Sequence, residues 1–120
     1  MRELIPGVAD VQLRGTSREG PQLYVAAFVV EGERTTLVDT GWEESTDMLL
    51  DALEAAAVVP DRVVLTHDGR DHYGGIDGVM ARYEPELVVP AGEPNLHAAV
   101  DHEPDRLVED GDRIGELEVV

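Results

Sequence analysis

The chain has 120 residues, of which 42% are hydrophobic, and that length is enough for one domain with a single core. It carries 26 acidic residues against 9 basic ones, a formal net charge of -17 at pH 7, so its surface should repel nucleic acids and anionic membranes. Cysteine is absent, which excludes disulfides and leaves histidine, carboxylate and backbone oxygen as the ligands for any metal.

The basic residues are all of one type. All 9 basic residues are arginine. The composition resembles that of proteins from salt-loving archaea, in which dense carboxylates hold water while concentrated salt screens their mutual repulsion. We therefore expect stability to rise in molar salt. No basic amino-terminal segment precedes an apolar stretch, and no apolar run reaches the length of a membrane span, so we expect a cytoplasmic, soluble protein.

The first part of the chain is predicted to form strands. A weak strand is predicted over residues 8–13. The apolar run Leu23–Val30 and residues 35–38, which are rich in β-branched side chains, flank a short polar segment, a pattern that predicts a hairpin. Apolar residues then recur at helical spacing over residues 46–57, and Ser45 stands where an N-cap is expected. A helix packed on a sheet should follow.

The second part alternates strands and helices. Residues 63–65 are wholly apolar, as in a buried strand, and a polar loop follows them. A helix is predicted from Ile76 to Tyr83, then a strand over 87–89 and a short helix over 94–100. A last hairpin is predicted over 106–120, turning at Asp110 and Gly111. This order predicts one α/β domain over residues 1–120 with a mixed sheet.

The polar loop after residue 65 carries groups that bind divalent metals. His67, Asp71 and His72 supply two imidazoles and a carboxylate from one short segment. In open α/β sheets ligands bind beyond the carboxyl ends of strands, which is where this loop falls. From the residues alone, a metal site and a solvated turn both remain open.

Three motifs resemble those of the metallo-β-lactamase superfamily. Residues 66–75 (THDGRDHYGG) are similar to its signature loop T-H-x-H-x-D-H-x-G-G. Upstream, residues 37–41 (LVDTG) match its L-x-D-T-G element, and residues 109–112 (EDGD) resemble its D-G-D turn. The resemblance covers most of the chain and implies half of an αββα sandwich, a mixed sheet with helices on one face.

The resemblance also implies a site and an activity. In that family the loop holds metal, commonly two zinc ions. Its members often hydrolyse esters, thioesters, amides or phosphodiesters. By the motif, His67 corresponds to a ligand of the first metal, and Asp71 and His72 face the second; Asp71 would also orient the attacking water as a catalytic residue. Asp39 corresponds to a buried acid that supports the loop. Asp68 is a supporting candidate, and manganese or iron could replace zinc.

Two departures from the pattern weaken the implied activity. Gly69 stands where the family has its middle histidine, and the family's later ligands find no match within residues 1–120. His97 and His102 lie outside any matching motif and are predicted to be surface residues. We therefore expect an incomplete metal site and at most a weak metal-dependent hydrolase. The alternative is a non-catalytic, self-associating structural or binding module, as a natural short chain or as half of a longer hydrolase.

Half a sandwich should leave one apolar sheet face without cover. The run Leu23–Val30 would contribute to that face. The simplest cover is a second copy of the chain related by a two-fold axis, so we expect a homodimer. A small-molecule substrate is compatible with the site, but its identity is left open.

Overall fold

A mixed sheet of seven strands organises the computed structural model, which describes residues 1–15, 23–115 and 117–119, and of Leu23 only the backbone. The strands follow one another across the sheet in chain order. They are β1 (Arg2–Ile5), β2 (Val8–Gly15), β3 (Leu23–Val30), β4 (Thr36–Val38), β5 (Arg62–Val64), β6 (Glu86–Pro90) and β7 (Arg106–Val108). β1 to β4 pair antiparallel, and β4 to β7 pair parallel.

The helices form the connections between the parallel strands. They are α1 (Thr46–Ala55), α2 (Arg70–Tyr73), α3 (Ile76–Tyr83) and α4 (Pro94–Ala99), and a 3-10 turn (Glu43–Ser45) precedes α1. Parallel strands require such crossovers, because the chain must return to the same end of the sheet before the next strand begins. In the described part of the chain, no helix is long and apolar enough to cross a membrane.

The helices pack on one face of the sheet. Alternate strand residues point toward them, as the period of two in a strand requires. The resulting core joins strand residues Val11, Leu13, Ala27, Val29, Leu37, Val63, Leu87 and Val89 to Leu49, Leu53, Ile76, Val79, Leu96 and Val100 from the helical segments. The predicted mixed sheet with helices on one face is confirmed.

The opposite face is only partly covered. A small hairpin of β8 (Arg113–Ile114) and β9 (Leu117–Glu118) packs on it, and a second core forms from Val64, Val88, Val108 and Ile114. Among the described residues this cover does not extend over β3, where Tyr24 is 63% exposed and Phe28 37% exposed. The predicted homodimer stays a prediction, and this is the surface that it would bury.

The end of the chain differs from the prediction. Residues 106–120 were predicted to form one hairpin, but β7 pairs in parallel with β6 and belongs to the main sheet. The turn at Asp110 and Gly111 is present, since Asp112 N donates to Glu109 O at 3.0 Å. It leads into the separate β8–β9 hairpin instead. Burial of Val108 beside the parallel strands outweighs the local preference for a hairpin.

Smaller differences concern the ends of elements. β1 was not predicted, and neither was the helical turn α2 within the polar loop. α1 ends at Ala55 instead of residue 57, because Ala57 takes a left-handed φ of 55°. Ser45 occupies the N-cap position of α1 as predicted, but its side chain makes no cap hydrogen bond; its hydroxyl donates to Trp42 O at 3.0 Å.

Candidate metal centre

The site forms where two neighbouring parallel strands end. β4 ends at Val38 and β5 at Val64, and Asp39 N donates to Val64 O at 2.8 Å. This bond continues the ladder by one residue, so Asp39 lies beside the segment that follows β5. The motif residues of two separate chain segments therefore meet at one edge of the sheet, as expected for the carboxyl ends of parallel strands.

Asp39 is the centre of the hydrogen-bond network at this edge. Its side chain is buried, and its backbone takes a left-handed φ of 64°, a conformation that aspartate adopts more readily than most residues. Oδ1 accepts from Thr66 N at 2.8 Å. Oδ2 accepts from Thr66 Oγ1 at 2.7 Å and from His72 Nδ1 at 2.9 Å. These bonds tie the two strand ends to the loop.

Thr40 holds the backbone of the same loop. Thr40 N and Oγ1 both donate to His72 O, at 2.7 and 3.0 Å, and Thr40 Oγ1 accepts from Gly75 N at 3.1 Å. The approach is too close for a side chain at the glycine pair: a Cβ on Gly75 would lie 2.5 Å from Thr40 O, and one on Gly74 would clash with the backbone of Glu43. Both glycines of the motif are therefore required by packing.

The two loop histidines lie side by side. Their ring centroids are 4.6 Å apart, with 34° between the planes. His72 Nδ1 bonds to the Asp39 carboxylate, which can only accept, so Nδ1 carries a proton, and in the neutral ring Nε2 keeps a lone pair. His67 Nδ1 lies 2.7 Å from Thr66 Oγ1. Ligand atoms of Asp39, His67 and His72 fall within 4.8 Å of one another.

Asp71 faces the free nitrogen of His72. Its Oδ2 lies 3.6 Å from His72 Nε2. Two ligands on a tetrahedral zinc, with bonds of about 2.0–2.2 Å, stand about 3.3–3.6 Å apart, so this pair has the spacing of a shared metal. Asp39 is different, because its 2.9 Å distance to His72 Nδ1 is that of a hydrogen bond. The donor set thus fits a metal on Nε2, with Asp39 orienting the ring from behind.

Comparison with known proteins agrees with this geometry. The family model described as the metallo-beta-lactamase superfamily matches residues 20–118. The chain belongs to this superfamily. The resemblance inferred from the three motifs is confirmed.

Curated relatives cover part of the chain. A hydroxyacylglutathione hydrolase of Photorhabdus laumondii is 35% identical over 66 residues, which are 55% of this chain and 25% of that protein. One from Dechloromonas aromatica is 30% identical over 66 residues, 24% of its length. The match thus spans about a quarter of the curated relatives.

Solved structures extend the likeness to the whole fold. A metallo-β-lactamase of Cronobacter sakazakii superposes with a TM-score of 0.75 at 16% identity, over 94% of this chain and 50% of that one. A subclass B3 metallo-β-lactamase of Bradyrhizobium japonicum gives 0.68 at 24% identity, over 75% and 41%. The chain therefore has the fold of about half of a metallo-β-lactamase.

The Asp71 side chain lies beside Gly69, which stands at the position of the family's middle histidine. A Cβ built on Gly69 would lie 2.5 Å from Asp71 Oδ1 and 3.3 Å from His72 Cδ2. The Asp71 side chain therefore lies over the backbone from which the missing ligand would start. This side chain is 42% exposed.

Other candidate residues lie away from the cluster. Asp68 is exposed, and its described contact is with Asn95 Nδ2 at 3.5 Å, so the structure does not bring it to the two loop histidines. Its supporting role stays a prediction. His102 Nε2 lies 2.7 Å from Asp77 Oδ1, and His97 Nε2 lies 3.3 Å from Pro90 O. Both lie at the surface, as predicted.

Sequence reasoning gave no role to two residues that organise the site. Thr66 and Thr40 were treated only as letters of the motifs, yet their hydroxyls link Asp39, His67 and the backbone of the loop. The available signal was their position, because each is a threonine beside a charged or ligating residue directly after a buried strand. Threonine at such a position can donate and accept within its own loop.

Proposed function

We propose that the chain is a weak metal-dependent hydrolase of thioesters or esters. His67, Asp71 and His72 hold zinc in this proposal, and manganese or iron suit the same donors. The observation that carries it is the pairing of Asp71 Oδ2 with His72 Nε2 at 3.6 Å, while the other nitrogen of His72 is engaged by Asp39. Two donors at the spacing of metal ligands support the proposal, and the hydrogen bond to Asp39 favours the neutral tautomer of His72 that leaves Nε2 available.

The residues of the chain divide the work. When bound, zinc lowers the pKa of a coordinated water to about 7 and polarises a carbonyl. Asp71 has an exposed carboxylate that can accept a hydrogen bond from the attacking water and so orient it toward the scissile carbonyl. Asp39 holds the His72 ring by its hydrogen bond, so the ring loses less conformational freedom when it binds a metal.

Thioesters are the favoured substrate class within this proposal. The curated relatives are named for hydrolysis of hydroxyacylglutathione, whose acyl group is carried on sulfur. Their matching segments cover 55% of this chain. A thioester is also more easily attacked than an amide, which suits a site with few ligands.

Activity should be low because the ligand set is small. Catalytic zinc usually has three protein ligands, and Gly69 removes one that the family supplies. Loose geometry is costly in catalysis, where a displacement of about 1 Å can reduce the rate about 100-fold. We expect turnover above the metal-free background but well below that of a complete enzyme.

Metal analysis tests the proposal directly. Protein purified without chelator should contain zinc that His72→Ala removes, together with hydrolysis of an activated thioester. His97→Ala is the matched control, because His97 is an exposed histidine that bonds only to a backbone carbonyl among its described contacts. No bound metal at neutral pH, or equal metal content in His72→Ala and wild type, would contradict the proposal.

A second candidate is the non-catalytic, self-associating module. It is favoured by the exposed side of β3, where Tyr24 and Phe28 present aromatic side chains to solvent although the chain as a whole has a net charge of -17. Exposed apolar side chains of this kind commonly mark interfaces. Under this candidate, His67→Ala keeps both the oligomer mass and the melting temperature, and wild type hydrolyses no thioester.

A further inference from the structure

Thr66 connects His67 to the buried carboxylate of Asp39. Its hydroxyl oxygen lies 2.7 Å from His67 Nδ1 and 2.7 Å from Asp39 Oδ2. Both are hydrogen-bond distances, but a hydroxyl has only one proton to donate. The direction of the two bonds therefore has to be decided.

The donors and acceptors around Asp39 determine the direction of these two hydrogen bonds. The Asp39 carboxylate can only accept, and it already accepts from Thr66 N and His72 Nδ1. The Thr66 hydroxyl proton must therefore go to Asp39 Oδ2, since otherwise two acceptor oxygens would face each other at 2.7 Å. Thr66 Oγ1 is then left to accept, and His67 Nδ1 has to be the donor.

We propose that Thr66 is a positioning residue that sets the tautomer of His67, through a hydrogen-bond chain running from His67 Nδ1–H to Thr66 to Asp39. One buried carboxylate then orients both loop histidines, His72 directly and His67 through a hydroxyl. Each ring keeps its Nε2 lone pair for a ligand. A role for these lone pairs in metal binding rests on the proposed function, whereas the His67 tautomer follows from the hydrogen bonds alone.

A backbone hydrogen bond fixes Thr66 in the position from which its hydroxyl links His67 to Asp39. Thr66 N is held by Asp39 Oδ1 at 2.8 Å, so the threonine is fixed at two points on the same carboxylate. An unconstrained neutral imidazole prefers the opposite tautomer, with the proton on Nε2. Zinc affinity is reduced in proportion to the fraction of molecules whose His67 carries its proton on Nδ1. Loss of the hydrogen bond to Thr66 lowers that fraction, and we expect zinc binding to weaken by roughly tenfold, as for other groups that orient a metal ligand.

The tautomer can be read without metal. Long-range ¹H–¹⁵N correlation spectra of metal-free protein, at a pH of about 8 to 9, above the usual histidine pKa of about 6.5, distinguish Nδ1–H from Nε2–H. Wild type should have His67 as Nδ1–H. Thr66→Ser, which keeps the hydroxyl, should preserve it, and Thr66→Val should move His67 mainly to Nε2–H. His102, whose Nε2 faces Asp77 Oδ1 at 2.7 Å, is the internal reference and should not change.

The wild-type spectrum can overturn the inference by itself, whether or not the valine variant folds. His67 found as Nε2–H in wild type overturns the inference, as does a Thr66→Val protein with an unchanged His67 tautomer. A separate zinc titration tests the metal site. If His67 carries its proton on Nδ1 but the protein binds no zinc, the proposed function is wrong and the inference stands. If the protein binds zinc but His67 carries its proton on Nε2, the inference is wrong and the proposed function stands.

Discussion

Replacing Asp39 by asparagine should separate stability from metal binding. Asparagine has nearly the same shape and also adopts the left-handed φ of 64° seen at this position, so the backbone should not be strained. The change replaces the acceptor Oδ2 by an amide that donates. His72 Nδ1 and Thr66 Oγ1, which now donate to Oδ2, must become acceptors. His72 would then carry its proton on Nε2, the nitrogen that faces Asp71.

The magnitudes follow from the bonds at the carboxylate. Two charge-assisted hydrogen bonds on Oδ2 become neutral ones, at a cost of roughly 1 kcal/mol each, about 2 kcal/mol in all. For a chain of this size, that lowers the melting temperature by about 8 °C. Metal affinity should fall about 10- to 100-fold, the usual effect of losing a carboxylate behind a ligating histidine.

Two measurements on the same preparations test this prediction. Thermal unfolding by circular dichroism gives the stability, and competition with a chromophoric chelator gives the zinc affinity. Asp39→Ala is the comparison, because it removes every bond of the carboxylate and should destabilise more than Asp39→Asn. Wild-type zinc affinity in a folded Asp39→Asn protein would refute the view that Asp39 orients His72 for binding.

Three further predictions concern the missing ligand, the charge and the exposed sheet face. Gly69→His should raise zinc affinity by at least about tenfold, or ~1.4 kcal/mol, once Asp71 rotates away from the new side chain; unchanged affinity in the same chelator competition would show that the ring cannot reach the site. The melting temperature should rise by about 4 °C or more between low salt and molar KCl, as screening weakens the repulsion within a chain of net charge -17, and a flat profile would exclude this. Phe28→Glu should convert a dimer into a monomer in light scattering at high salt, while a monomeric wild type would reject the homodimer.

Local patterns accounted for most of the fold. A continuous apolar run predicted β3 and helical spacing of apolar residues predicted α3, both with the observed bounds, because each of these signals lies within a single element. The last hairpin was wrong for a complementary reason. The partner of β7 is β6, 18 residues earlier at Val88 and Arg106, and a pattern within one segment cannot specify a partner in another.

The candidate site divides in the same way. The sequence by itself determined the donors: the spacing of His67, Asp71 and His72, the carboxylate of Asp39 and the absence of a side chain at Gly69. Only the tertiary structure decided their contacts, with Asp71 over Gly69, Asp68 beside Asn95, and Asp39 linked to Thr66. Spacing along a chain limits which groups can meet, but the meeting itself depends on two parallel strands ending side by side.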